Sequence, residues 1–97
     1  MGNVYTSGIW TVKEGHEADF IAAWKTLAES GKAMPGAGNF HLLRDVEQTN
    51  RFMSFGDWES LEAQRAWKES DDFAARMGRT RQYADLAPST YEVVTEG

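Results

Sequence analysis

The chain contains no cysteine. Disulfide scaffolds, iron–sulfur clusters and thiolate zinc sites are therefore excluded at once. Proline is almost absent as well: only Pro35 and Pro88 occur, and both are expected to break the chain between periodic segments. Basic residues are in deficit, ten Lys and Arg against fifteen Asp and Glu, for a net charge of −5. A nucleic-acid footprint needs a clustered basic face, and electrostatic docking on anionic lipid needs a polybasic segment; neither partner is expected. No apolar run approaches the about 20 residues of a membrane span. The first residues lack the apolar stretch of a signal peptide, so the cytoplasm is the expected compartment. The two histidines, His16 and His41, form no H-x-H or H-E-x-x-H spacing, so no metal site is expected. Patterns of the G-x-S-x-G, P-loop and G-x-G-x-x-G kinds are missing, which leaves acyl transfer and nucleotide binding without support.

What the chain does have is rings. Aromatic residues make up 12% of its 97 residues, with four tryptophans. That length suits a single domain over 1–97. Residues 3–13 are rich in β-branched and aromatic types and predict a strand. Gly15 breaks the run, and Glu17 and Asp19 suit the positive end of a helix that follows. Phe20, Trp24, Leu27 and Ala28 recur at helical spacing, with Gly31 as the expected C-terminal cap. A loop M-P-G-A-G leads to strands over about 38–46 and 51–58, joined by the short polar link E-Q-T-N as an antiparallel hairpin. Ser60 opens a short helix. Ser70, followed by Asp71 and Asp72, reads as a second N-cap, and its helix is expected to carry Phe73, Met77, Tyr83 and Ala84, with Arg76, Arg79 and Arg81 on the wet side. The tail S-T-Y-E-V-V-T-E predicts a fourth strand. The order β-α-β-β-α(α)-β is an α+β, ferredoxin-like split βαβ: a four-stranded antiparallel sheet with helices on one face.

The strands are apolar on both faces. Val4, Trp10 and Val12 oppose Tyr5 and Ile9, and Met53 and Phe55 oppose Phe52 and Trp58. A sheet covered on one side should instead alternate apolar with polar. So few helices cover only one face, and the other would be an apolar patch of the kind monomers rarely expose. A second copy of the chain, packed sheet to sheet as a twofold homodimer, is the expected cover.

Taken together, these strings resemble the antibiotic biosynthesis monooxygenase family of the dimeric α/β-barrel superfamily. The resemblance rests on W-T-V-K-E-G-H-E-A-D-F-I-A-A-W (10–24), L-L-R-D (42–45), R-F-M-S-F-G-D-W-E-S-L-E-A (51–63), A-W-K-E-S-D-D-F (66–73) and T-Y-E-V-V (90–94). It implies a barrel of two four-stranded sheets and, in each subunit, a cavity between sheet and helices. In the oxygenase branch the cavity holds an electron-rich phenol, which O2 oxidises without metal, flavin or haem. The deprotonated substrate supplies the electrons, and the protein offers an apolar pocket, a proton acceptor and hydrogen-bond donors. In the haem-degrading branch an Asn–Trp–His triad acts. Its Trp matches Trp67, its iron-ligating His falls on Met77 and its Asn falls on Gly8, so haem degradation is not expected. In the quinone-forming branch an Asn falls on Ser54, a Trp on Trp58 and a Tyr on Gln64.

His41 is the candidate base, since imidazole titrates near neutrality; the plainer reading is a half-buried strand histidine. His16, in the strand–helix loop among Glu14 and Glu17, reads as a surface residue. Trp58 and Trp67 would stack on a planar substrate, or equally pin helix to sheet. Ser54 would hydrogen-bond a substrate oxygen, though a strand serine needs no function. Met77 would line an adaptable pocket or fill core, and Tyr83 would offer a phenolic hydroxyl. Arg44, beside Phe40 and Leu42, would hold a substrate carboxylate or pair with an acid across the dimer. The expected ligand is a small aromatic or apolar molecule, held either for oxidation with O2 or, as the alternative, by a non-catalytic binding or stress-related dimer.

Overall fold

A computed structural model describes residues 2–97. The elements are β1 (Val4–Val12), α1 (Glu17–Lys32), β2 (Ala37–Arg44), β3 (Arg51–Trp58), α2 (Leu61–Lys68), α3 (Asp71–Thr80) and β4 (Ala84–Glu92). All strand pairs are antiparallel, in the order β2-β3-β1-β4. This is the expected split βαβ, with its three helices over one face.

The helix starts are set by local chemistry. The Ser60 hydroxyl accepts from the Ala63 N–H at 3.1 Å and the Ser70 hydroxyl from the Phe73 N–H at 3.1 Å, so each serine satisfies an otherwise free amide of its first turn. Phe20, Ala23, Leu27 and Ala28 bury one stripe of α1 against the sheet. Phe20 is fully buried, with its ring 5.1 Å from both Trp10 and Phe52.

Four local expectations are corrected. Gly31 does not cap α1, which runs on to Lys32 and is capped by Ala33. It is buried because α1 passes close to the rings beneath: a Cβ there would lie 2.7 Å from Phe40 Cζ. β4 begins at Ala84, well before Ser89, and residues 93–97 follow it without regular structure. Because α3 ends at Thr80, Tyr83 stands in the turn after it and Ala84 on the strand. Pro88 therefore lies within β4 and not between elements; an edge strand tolerates it because one side of that strand needs no N–H donor.

The alternation in β1 and β3 is clean. Val4, Trp10, Val12, Phe52 and Trp58 are buried beneath the helices. The other face presents Tyr5, Ile9, Leu43, Met53, Phe55 and Tyr91, with Leu43 48% and Met53 43% exposed. The large apolar groups thus fall on both faces, as the pattern of the strands requires. Among the described residues, no helix is long and apolar enough to cross a membrane.

Candidate ligand cavity

The site arises from residue size along two neighbouring strands. On the helix side, β1 and β3 carry bulky rings toward their ends: Trp10 beside Phe52, and Trp58 opposite Val4. Between them the pairs are small, with Gly8 opposite Ser54 and Thr6 opposite Gly56. The helices rest on the rings and cannot descend onto the small pairs, so a cavity of about 350 Å³ remains above them. Its walls come from Trp24 and Leu27 of α1, Trp67 of α2, and Phe73 and Met77 of α3. Leu86 and Pro88 of β4 close one side. A Cβ on Gly8 would approach Leu86 Cδ1 to 2.6 Å and Ser54 Oγ to 3.4 Å. Glycine here keeps the floor flat and open.

Several polar atoms in and around this apolar space are held by partners. Trp10 donates its indole N–H to Ser54 Oγ at 2.9 Å. Trp67 donates its own to Ser30 Oγ at 3.0 Å, at the back of the wall. Behind Ser30 stands Asp72. The Ser30 hydroxyl, and then the Arg76 guanidinium, hold the Asp72 carboxyl below the usual carboxylate range. Arg76 bonds Asp72 Oδ1 at 2.9 Å and the Thr26 carbonyl at 2.9 Å, tying α3 to α1. Gln64, 1% exposed, donates to the Thr6 and Thr90 hydroxyls at 3.1 and 2.9 Å and anchors α2 to the sheet.

Of the residues singled out from the sequence, Ser54, Trp67 and Met77 line the cavity. Trp58 does not. Fully buried, it is stacked behind Trp67 at 5.4 Å, with Phe40 edge-on to both indoles at 5.7 Å. Its Nε1 has no hydrogen-bond partner. Tyr83 is also outside the cavity, stacked on His16 at 5.7 Å. His41 is corrected most firmly as a group reaching the ligand. Strand parity sends it to the helix-free face, where it stacks on Phe55 at 5.0 Å and 19°. Arg44 is on the helix side, its guanidinium 4.8 Å above the Phe52 ring. No group of three or more His, Asp or Glu converges as metal ligands do among the described residues.

Sequence reasoning missed Lys68 and Arg81, which also line the cavity. Arg81 is exposed, as a wet-side residue should be, but it follows α3 as its C-cap and so also stands at the cavity. Gly8, where the resemblance places an Asn, leaves space above the floor instead. The run of small residues Thr6, Gly8, Ser54 and Gly56 on one face was the available signal.

An antiparallel sheet covered on one face by three helices, with an apolar cavity between the two layers, defines an α+β domain of the ferredoxin-like kind. Residues 7–79 match the profile of the antibiotic biosynthesis monooxygenase family, and the chain belongs to that family. The fold is similar to that of SnoaB, a cofactor-independent oxygenase from Streptomyces nogalater, with a TM-score of 0.90 at 19% identity, covering 99% of this chain and 97% of that one. It is also similar to a conserved protein from Methanosarcina mazei Go1, with a TM-score of 0.85 at 15% identity and coverage of 95% and 93%. An antibiotic biosynthesis monooxygenase of known structure gives a TM-score of 0.80 at 13% identity, covering 95% of this chain and 99% of that one. No curated protein sequence gives a significant match.

Proposed function

We propose that the chain is a cofactor-independent monooxygenase that oxidises an aromatic phenol or hydroquinone with O2, acting as a homodimer joined through its helix-free sheet face. The observation that carries this reading is the cavity floor. A flat strip of small residues beneath the Trp67 and Phe73 rings suits a planar ligand, and the Ser54 hydroxyl beside it already accepts from Trp10, which leaves its own proton for a ligand oxygen. Membership of the family supports the chemistry.

The reaction balances without a further reagent. An ionised phenol passes one electron to O2, giving a phenoxyl radical and superoxide. Their recombination forms a carbon–oxygen bond, and the peroxide takes up a proton. Loss of water then leaves a quinone, so phenol plus O2 gives quinone plus water. No carboxylate, imidazole or phenol side chain lines the cavity. The substrate proton therefore goes to water, and the substrate must be acidic enough to ionise near neutral pH.

That same lack of a base favours the second reading, a dimer that holds an aromatic ligand without turning it over. Oxygen uptake with a panel of hydroquinones and anthrones separates the two. Oxygenation predicts uptake with one O2 consumed per quinone formed, rising with pH along the substrate's own ionisation. A flat trace for every compound, with binding retained, would leave only the binder. The homodimer reading is supported by the apolar side chains on the uncovered face. Sedimentation at micromolar concentration tests it, and a monomer there would overturn it.

A further inference from the structure

Among the residues that line the cavity, the formal charges are Lys68 and Arg81, and both are positive. In a chain of net charge −5 that is not the expected draw. Each follows or ends a helix, Lys68 as the last residue of α2 and Arg81 as the C-cap of α3, so the helix dipoles favour cations there. The dipoles do not explain why neither is neutralised. The ion pairs among the described residues are His16–Asp19 and Arg76–Asp72, and neither cation at the cavity reaches a carboxylate. Of the other cations on these helices, Arg76 is engaged by both Asp72 and a backbone carbonyl, whereas Arg65 and Arg79 also reach no carboxylate but do not line the cavity.

We infer that Lys68 and Arg81 form an anion-binding rim, and that the cavity takes a planar aromatic carrying a carboxylate. The inference rests on the ligand-binding reading above and narrows its substrate class. Position supports a carboxylate at the rim over an ionised phenol at depth. Arg81 is exposed and Lys68 half-buried, whereas the Ser54 hydroxyl is buried on the floor, 8% exposed. One molecule can then place its phenolic oxygen at Ser54 and its carboxylate between the two cations. An ion pair in a partly dry rim is stronger than one in open water, and two cations on separate helices set the ligand's direction as well as its affinity.

The test uses matched probes, anthraquinone-2-carboxylate and its neutral carboxamide, titrated against the intact protein by quenching of tryptophan fluorescence. The carboxylate is expected to bind about tenfold more tightly than the amide. Lys68→Met and Arg81→Met should each cut that preference, and the double variant should abolish it, so that the two probes bind alike. Added salt should weaken the carboxylate alone. Equal binding of both probes, or a preference that survives the double variant, would overturn the rim while leaving the cavity reading intact. If neither probe binds although circular dichroism shows a folded chain, the cavity reading fails and the rim with it.

Discussion

The indole of Trp10 and the hydroxyl of Ser54 share a hydrogen bond of 2.9 Å across the β1–β3 ladder, and both side chains are buried. This bond has two consequences, one for stability and one for the ligand. Ser54→Ala strands the Trp10 N–H, at a cost of about 1–3 kcal/mol. Trp10→Phe frees Ser54 Oγ and costs a comparable amount through lost volume. The double variant should be less destabilised than the sum, since the residues are direct partners. Urea unfolding of the four proteins measures the coupling. For the ligand, Ser54→Ala should weaken binding of an aromatic phenol and leave the parent hydrocarbon of the same shape unaffected.

The stacked pair Trp67 and Trp58 should respond unequally to the same change. Trp67→Phe removes the donor to Ser30 Oγ and part of a cavity wall. Trp58→Phe removes an N–H that has no partner, and relief of that buried group offsets part of the lost packing. Trp67→Phe is therefore expected to cost about 1–3 kcal/mol more than Trp58→Phe. It should also change probe affinity, which Trp58→Phe should leave nearly unchanged. Thermal melts with a parallel titration settle both points.

Acid should loosen the junction of α1 and α3. The Asp72 carboxyl is held below its ordinary value by the Ser30 hydroxyl and Arg76. A carboxyl with a depressed folded pKa contributes stability at pH values above its unfolded pKa of about 3.9. That contribution is lost as pH falls through the lower folded value. Asp45 adds to the same acid-side slope, because the Gln48 and Glu47 amides lower its pKa in the β2–β3 turn. Asp72→Asn should be less stable than the parent at pH 7, and the gap should narrow toward pH 2–3 (the region below the ordinary carboxylate range). Equal losses in both proteins on acidification would count against the Asp72 contact.

Much of this architecture was legible in the sequence, and for a physical reason. Strand parity and the serine caps are local rules, and Ser60, Ser70, Phe52 and Trp58 obey them. The cavity was harder to read because it depends on what two strands place side by side. Gly8 and Ser54 are far apart in the chain, and neither looks unusual alone; only the β1–β3 register makes them neighbours. Arg81 and Tyr83 depart from the helical periodicity for one shared cause, the end of α3 at Thr80. For His41 the strand is legible, but which face of that edge strand meets the helices is not. The answer turns on Phe40, which packs edge-on against Trp58 and Trp67 and so sends its neighbour the other way.

That reversal makes His41 a test of the whole arrangement. It stacks on Phe55 beside Tyr5, on the face proposed to meet a second copy, and is separated from the cavity by the sheet itself. His41→Ala should leave probe binding in the cavity, and any oxygen uptake, within about twofold of the parent, since less than ~0.5 kcal/mol is expected from a change remote from the site. The same variant should weaken self-association, because it removes a ring from an aromatic cluster at the contact. Phe55→Glu should go further and yield a folded monomer, as an unpaired charge cannot be buried there without a large penalty. Sedimentation velocity at two concentrations, paired with the fluorescence titration, reads both effects from one preparation. A His41→Ala protein that lost turnover while keeping its dimer and its ligand would show that the imidazole acts on the reaction through the sheet, and that the two faces are not separate in function.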